Sequence, residues 1–79
     1  MPDRSLPAGY YVGLFPQYAF DYNANGLISY YGIARKGKLT SDAVWLIEQY
    51  LYDGNNNLTS IKTSNLDVIW DNRACLTYY

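Results

Sequence analysis

The residues whose types could do chemistry fall in four places. Asp21-Tyr22-Asn23-Ala24-Asn25-Gly26 matches the first half of a calcium-loop pattern, and Asp53-Gly54-Asn55-Asn56-Asn57-Leu58 is a looser copy. Such a loop needs a bidentate carboxylate at its twelfth position and flanking helices to hold it. Counted from Asp21 that position is Gly32, and from Asp53 it is Ser64, neither of which chelates. Asp and Asn instead suit turns, because their side chains bond to nearby backbone amides and tolerate left-handed conformations. The expectation is two turns, with no metal and no cofactor. Cys75 as a nucleophile would need an activating partner that the sequence does not supply. Asp71 and Arg73 beside Trp70 read as a local salt bridge or a turn. As a catalytic pair they lack a nucleophile and a base, and the chain has no histidine to act as one. The expectation is therefore a protein that is not an enzyme.

The fourth place is Arg35-Lys36-Gly37-Lys38, a short cationic run that reads as a solvated turn. Six Lys/Arg against seven Asp/Glu leave a net charge of −1, so no nucleic-acid partner is expected. No apolar run approaches the roughly 18 residues of a membrane span, so no membrane is expected either. The N-terminal residues lack the apolar stretch of a signal peptide, which suggests synthesis in a cytoplasm.

These residues must be positioned by a small scaffold. Seventy-nine residues make one domain at most. A chain of this size buries only about 60% of the surface exposed when unfolded, so it needs further support. With one cysteine no internal disulfide is possible, which leaves oligomerisation. Ten tyrosines, two tryptophans and two phenylalanines are more aromatics than such a core hides, and tyrosine is enriched at interfaces.

All three prolines lie in residues 1–17, so this segment is expected to be an extended arm. Its Tyr10, Tyr11, Leu14 and Phe15 are too apolar for a solvated tail and are expected to bury against a neighbouring chain. Residues 18–79 then form a small β domain. Tyr18, Phe20 and Tyr22 alternate with smaller or polar residues, as do Ile28, Tyr30 and Gly32, and Asn25-Gly26 between them signals a hairpin. The design recurs from Trp45 to Tyr52, through Gly54-Asn55-Asn56-Asn57, to Leu58–Thr63. Asp21 is matched to Asp53 and Leu27 to Leu58, which makes the second turn shorter by one residue. Residues 40–49 admit a helix capped by Ser41. However, the turn at Gly54 requires a strand leading into it, so the reading is a turn at 40–43 and then a strand. The fold class is thus all-β and hairpin-rich. Its expected core is Phe20, Trp45, Ile47, Leu51, Ile61 and Trp70, with Tyr78 and Tyr79 joining the arm residues at an interface.

Several of these residues also form a recognisable pattern. Tyr31-Gly32-Ile33-Ala34, Gly37, Thr40-Ser41-Asp42-Ala43-Val44-Trp45-Leu46-Ile47, Tyr52-Asp53 with Asn55 and Asn57, and Trp70-Asp71-Asn72-Arg73 with Tyr78 follow one another in order. Over residues 28–79 the chain resembles a group of short tailed-bacteriophage virion proteins. It departs from them at Thr63-Ser64-Asn65-Leu66, where the family has a longer acidic loop. The resemblance implies a structural subunit of a phage particle, made in the host cytoplasm and residing in the virion. Its partners would be other virion proteins and copies of itself. A tail or neck adaptor is the first expectation. A capsid decoration protein and a small host-directed binding module are the alternatives. Tyr-Asp followed by Asn and a return strand is also similar to the YD repeats of large β-shell proteins, although two hairpins cannot build a shell.

Overall fold

The computed structural model describes residues 16–79. The protein is all-β. Five strands, β1 (Pro16–Tyr22), β2 (Ile28–Arg35), β3 (Ala43–Tyr52), β4 (Leu58–Thr63) and β5 (Val68–Ile69), precede a 3₁₀ segment, Trp70–Cys75. The first four strands form an antiparallel sheet in sequence order, and β5 pairs with the start of β3 beyond the end of β4. Residues 40–42 are a turn and β3 begins at Ala43, so the strand reading of this stretch holds. Pro16 and Gln17, read from sequence as the end of the arm, belong to β1. Pro16 sits at the first position of an edge strand, where a missing N–H costs no interior ladder bond. Tyr10, Tyr11, Leu14 and Phe15 lie outside the described residues.

The two hairpins are copies of each other, with turns of equal length. In the first, the Asn23 N–H donates to Leu27 O (2.8 Å) and the Gly26 N–H to Asn23 O (3.0 Å). In the second, the Asp53 N–H donates to Asn57 O (2.9 Å) and the Asn56 N–H to Asp53 O (3.1 Å). The side-chain oxygen of Asn23 accepts from the amides of Asn25 and Leu27, as that of Asp53 does from Asn55 and Asn57. Gly26 and Asn56 take the left-handed conformation at matching places, φ 78° and 64°. Strand registers also coincide at an offset of thirty residues: Tyr18↔Ile33, Phe20↔Tyr31 and Asp21↔Tyr30 against Glu48↔Thr63, Tyr50↔Ile61 and Leu51↔Ser60. The sequence match of Asp21 with Asp53 was therefore two residues out of step. Asn23 is the true counterpart of Asp53, because an amide oxygen caps such a turn as readily as a carboxylate.

Among the described residues one face of the sheet is covered and the other is not. Gly32, Ala34, Trp45 and Ile47 alternate onto the covered face, and the C-terminal segment lies over them. Trp70 packs against Trp45 with ring centroids 5.7 Å apart. Gly32 makes room for this, since a Cβ there would lie 2.6 Å from the Trp70 ring and 3.0 Å from that of Trp45. Tyr78 tilts against Tyr30 at 5.7 Å and donates to Arg73 O at 2.6 Å. The Arg73 guanidinium lies 4.8 Å above the Trp70 ring and pairs with Asp21 at 2.9 Å. Ser64, buried, accepts from the Ile47 N–H at 3.0 Å, and its own N–H donates to Ile47 O at 2.8 Å. This serine lets the chain leave β4 without leaving Ile47 unpaired.

The core is thus Ala34, Trp45, Ile47 and Trp70. Trp45, Ile47 and Trp70 were expected there, and Ala34 was not. Two expected members are corrected: Phe20 is 49% and Ile61 46% exposed, both on the uncovered face. Leu51 is half-buried. Alternation tells which residues share a face but not which face receives the covering segment.

Candidate interaction face

The uncovered face is built from the strands upward. β1 contributes Tyr18, Phe20 and Tyr22, β2 contributes Tyr31 and Ile33, β3 contributes Leu46, Glu48 and Tyr50, and β4 contributes Ile61. Cross-strand pairing sets Phe20 opposite Tyr31 and Tyr18 opposite Ile33, which brings ring centroids to 5.3 Å for Phe20–Tyr31 and, diagonally, 5.9 Å for Tyr18–Tyr31, while Phe20 and Tyr22 lie 6.4 Å apart along β1. Tyr18, Phe20 and Tyr22 remain about half exposed even so. Isolated exposed aromatics are ordinary, whereas a contiguous apolar patch calls for an explanation.

Glu48 stands among these rings. It accepts a hydrogen bond from the Tyr50 hydroxyl at 3.2 Å. Burial, reinforced by Glu48, pushes the Tyr50 hydroxyl above the ordinary tyrosine value. Burial also raises Tyr31, helped by Tyr18 and then Glu48. The Tyr31 and Tyr50 phenols are accordingly neutral donors at neutral pH, set beside the Glu48 side chain. Such a face can stack on flat or apolar groups and bond to their polar edges.

At the end of this face where β1 begins lies a cavity of about 390 Å³, its mostly apolar wall including Tyr18, Ile33, Leu46 and Leu66, with Arg35 and Asp67 also lining it. It extends the apolar surface and places no cluster of reactive groups. The other candidates from sequence have positions of their own. The Asp53 carboxylate is held below its usual range by the Asn57 and Asn55 amides, so it is engaged within its own turn. Arg73 pairs with Asp21, fifty-two residues away, and not with neighbouring Asp71. Cys75 is exposed. Among the described residues no three Cys, Asp or Glu side chains converge, and no helix there is long and apolar enough to cross a membrane. Tyr78 is spent inside the covered face, while Tyr79 is 72% exposed with its backbone paired to Thr63.

Sequence reasoning missed the stacked row as a site because it assigned Phe20 to the core. The available signal was the excess of aromatics over what one covered face can hold. Compared with known proteins, the chain matches no family model, no curated protein and no solved structure.

Proposed function

We infer that the chain is a non-enzymatic structural subunit of a tailed-phage particle, acting at the tail or neck by packing its aromatic face against another virion protein. The observation that carries the assembly reading is that face: adjoining aromatic rings, stacked or tilted and half exposed, on a sheet whose other side is already covered. Burying the exposed halves of Tyr18, Phe20 and Tyr22 removes roughly 300 Å² from water, taking about 150–250 Å² for a whole ring residue. At about 25 cal/mol per Å² this contributes about 7 kcal/mol before association costs, which run to about 4–15 kcal/mol. The three rings alone therefore make a weak contact. Together with Tyr31, Ile33, Leu46 and Ile61 they form the apolar centre that an interface of about 800 Å² per partner requires.

The resemblance to phage virion proteins supplies the setting. Its motif residues serve the scaffold: Gly32 admits Trp70, Asp53 closes a turn, and Arg73 clasps the C-terminal segment to β1. A shared pattern of this kind specifies a fold that presents a surface. The test is a mass-spectrometric count of the chain in purified particles of the encoding phage, measured against portal and capsid proteins. A fixed ratio is expected, and absence from the particle would overturn the assignment.

A further inference from the structure

The hairpin repeat has a consequence at the two edges of the sheet. Inside the molecule, β2 of the first hairpin pairs with β3 of the second through Tyr30↔Gln49, Tyr31↔Glu48, Gly32↔Ile47 and Ile33↔Leu46. β4 is the counterpart of β2 and β1 is the counterpart of β3, at the same thirty-residue offset. The outer edge of β4 therefore presents the backbone that β2 offers to β3. Likewise the outer edge of β1 presents the backbone that β3 offers to β2. Among the described residues neither edge is covered by another strand. Applied between two chains, the β2·β3 geometry sets Ser60 opposite Ala19, Ile61 opposite Tyr18 and Lys62 opposite Gln17 of the next copy.

We propose that copies of this chain join head to tail, β4 of one copy pairing antiparallel with β1 of the next in the register that β2 and β3 use within one chain. Two observations make the edges suitable, and a third sets the length of the ladder. β4 is short and, Thr63 apart, exposed along its whole length, with its outward amides able to accept a strand. The fourth projected position, Thr63, is already occupied, since its N–H and C=O pair with Tyr79 at 3.0 and 2.9 Å. Its projected partner, Pro16, would take the place that Tyr79 holds, so the inter-chain ladder runs over Ser60, Ile61 and Lys62 and Tyr79 moves aside for Pro16 of the next copy. Finally, the β2·β3 junction is fastened by the Tyr52 hydroxyl donating to Ile28 O at 2.7 Å. The counterparts of these two groups, Tyr22 and Leu58, lie on the two outer edges, 57% and 49% exposed. A head-to-tail contact of this kind closes into a ring or extends as a filament. It stands apart from the phage reading, since it uses the sheet edges and the repeat alone.

The Thr63–Tyr79 bonds fix which pairs are hydrogen-bonded, and Ser60 with Ala19 falls on a non-hydrogen-bonded position, where Cα atoms lie about 4.5 Å apart. That separation suits a disulfide. Within one chain β2 and β3 lie between these residues, about 14 Å of sheet, so only an inter-chain bond can form. Full-length chains carrying Ala19→Cys or Ser60→Cys, each with Cys75→Ser, are mixed and mildly oxidised. The mixed dimer should form in clear excess over the statistical ratio, and Lys62→Cys with Ala19→Cys, two residues out of register, should cross-link at least tenfold more slowly. Statistical mixing, a preference for like pairs, or equal cross-linking from Lys62→Cys would overturn the proposal. Sedimentation of the unmodified chain serves as a second reading that no substitution can disturb. Its mass should rise reversibly with concentration, and a strict monomer up to millimolar concentration would overturn the proposal.

Discussion

Asp53 and Tyr78 both couple the fold to pH, with opposite signs. Backbone amides hold the Asp53 carboxyl below its ordinary value, so its stabilising effect is present above the unfolded value and fades as pH falls through the native one. Asp53→Asn should keep the turn, since Asn23 does the same work in the first hairpin, while flattening the acid limb of a melting-temperature profile. Asp53→Ala should lower the melting temperature at neutral pH. Burial beside Tyr30 pushes the Tyr78 hydroxyl up to about 12. Its contribution is complete below the unfolded value of 10.0 and declines as pH rises toward about 12, because the unfolded chain ionises first. Tyr78→Phe should cost about 0.5–1.5 kcal/mol at neutral pH through the lost bond to Arg73 O, and should lose less stability across that alkaline window. Thermal melts from neutral to alkaline pH measure both effects.

At the scale of elements, the covering segment depends on the gap at Gly32. A methyl group there would stand 2.6 and 2.7 Å from Trp70 ring carbons and 3.0 Å from the Trp45 ring, so a ring or the strand must shift. Gly32→Ala should cost about 1–3 kcal/mol by overpacking, and Trp70→Ala about 3–5 kcal/mol by truncation, both read by urea unfolding. The hairpins were legible in the sequence because their causes are local: Asx side chains closing on nearby amides, and apolar residues spaced by two. The covering segment was not legible. Arg73 finds Asp21 across fifty-two residues, and nothing in the Asp71-Asn72-Arg73 stretch announces a distant partner. For the same reason alternation could not say whether Phe20 or Ala19 faced inward, which placed the aromatic row in the core instead of on the surface. Residue type pairs Asp21 with Asp53, whereas the backbone pairs Asn23 with Asp53, since the Asn23 side chain accepts the turn's amides.

At the scale of the whole molecule, residues 16–79 form a single sheet with a tryptophan-centred lid on one side and an aromatic platform on the other. A platform made for assembly should contribute little to the stability of the isolated chain and much to its incorporation. The central claim therefore rests on separating those two quantities at Phe20, whose ring stacks on Tyr22 and tilts against Tyr31 yet stays half exposed. The decisive measurement is the copy number of a Phe20→Ser chain in purified particles, beside its unfolding free energy in isolation. Stability should change by less than about 1 kcal/mol, as for a partly exposed surface site, while the copy number falls at least tenfold. A Phe20→Ser chain that folds equally well and enters particles at the original ratio would contradict the account.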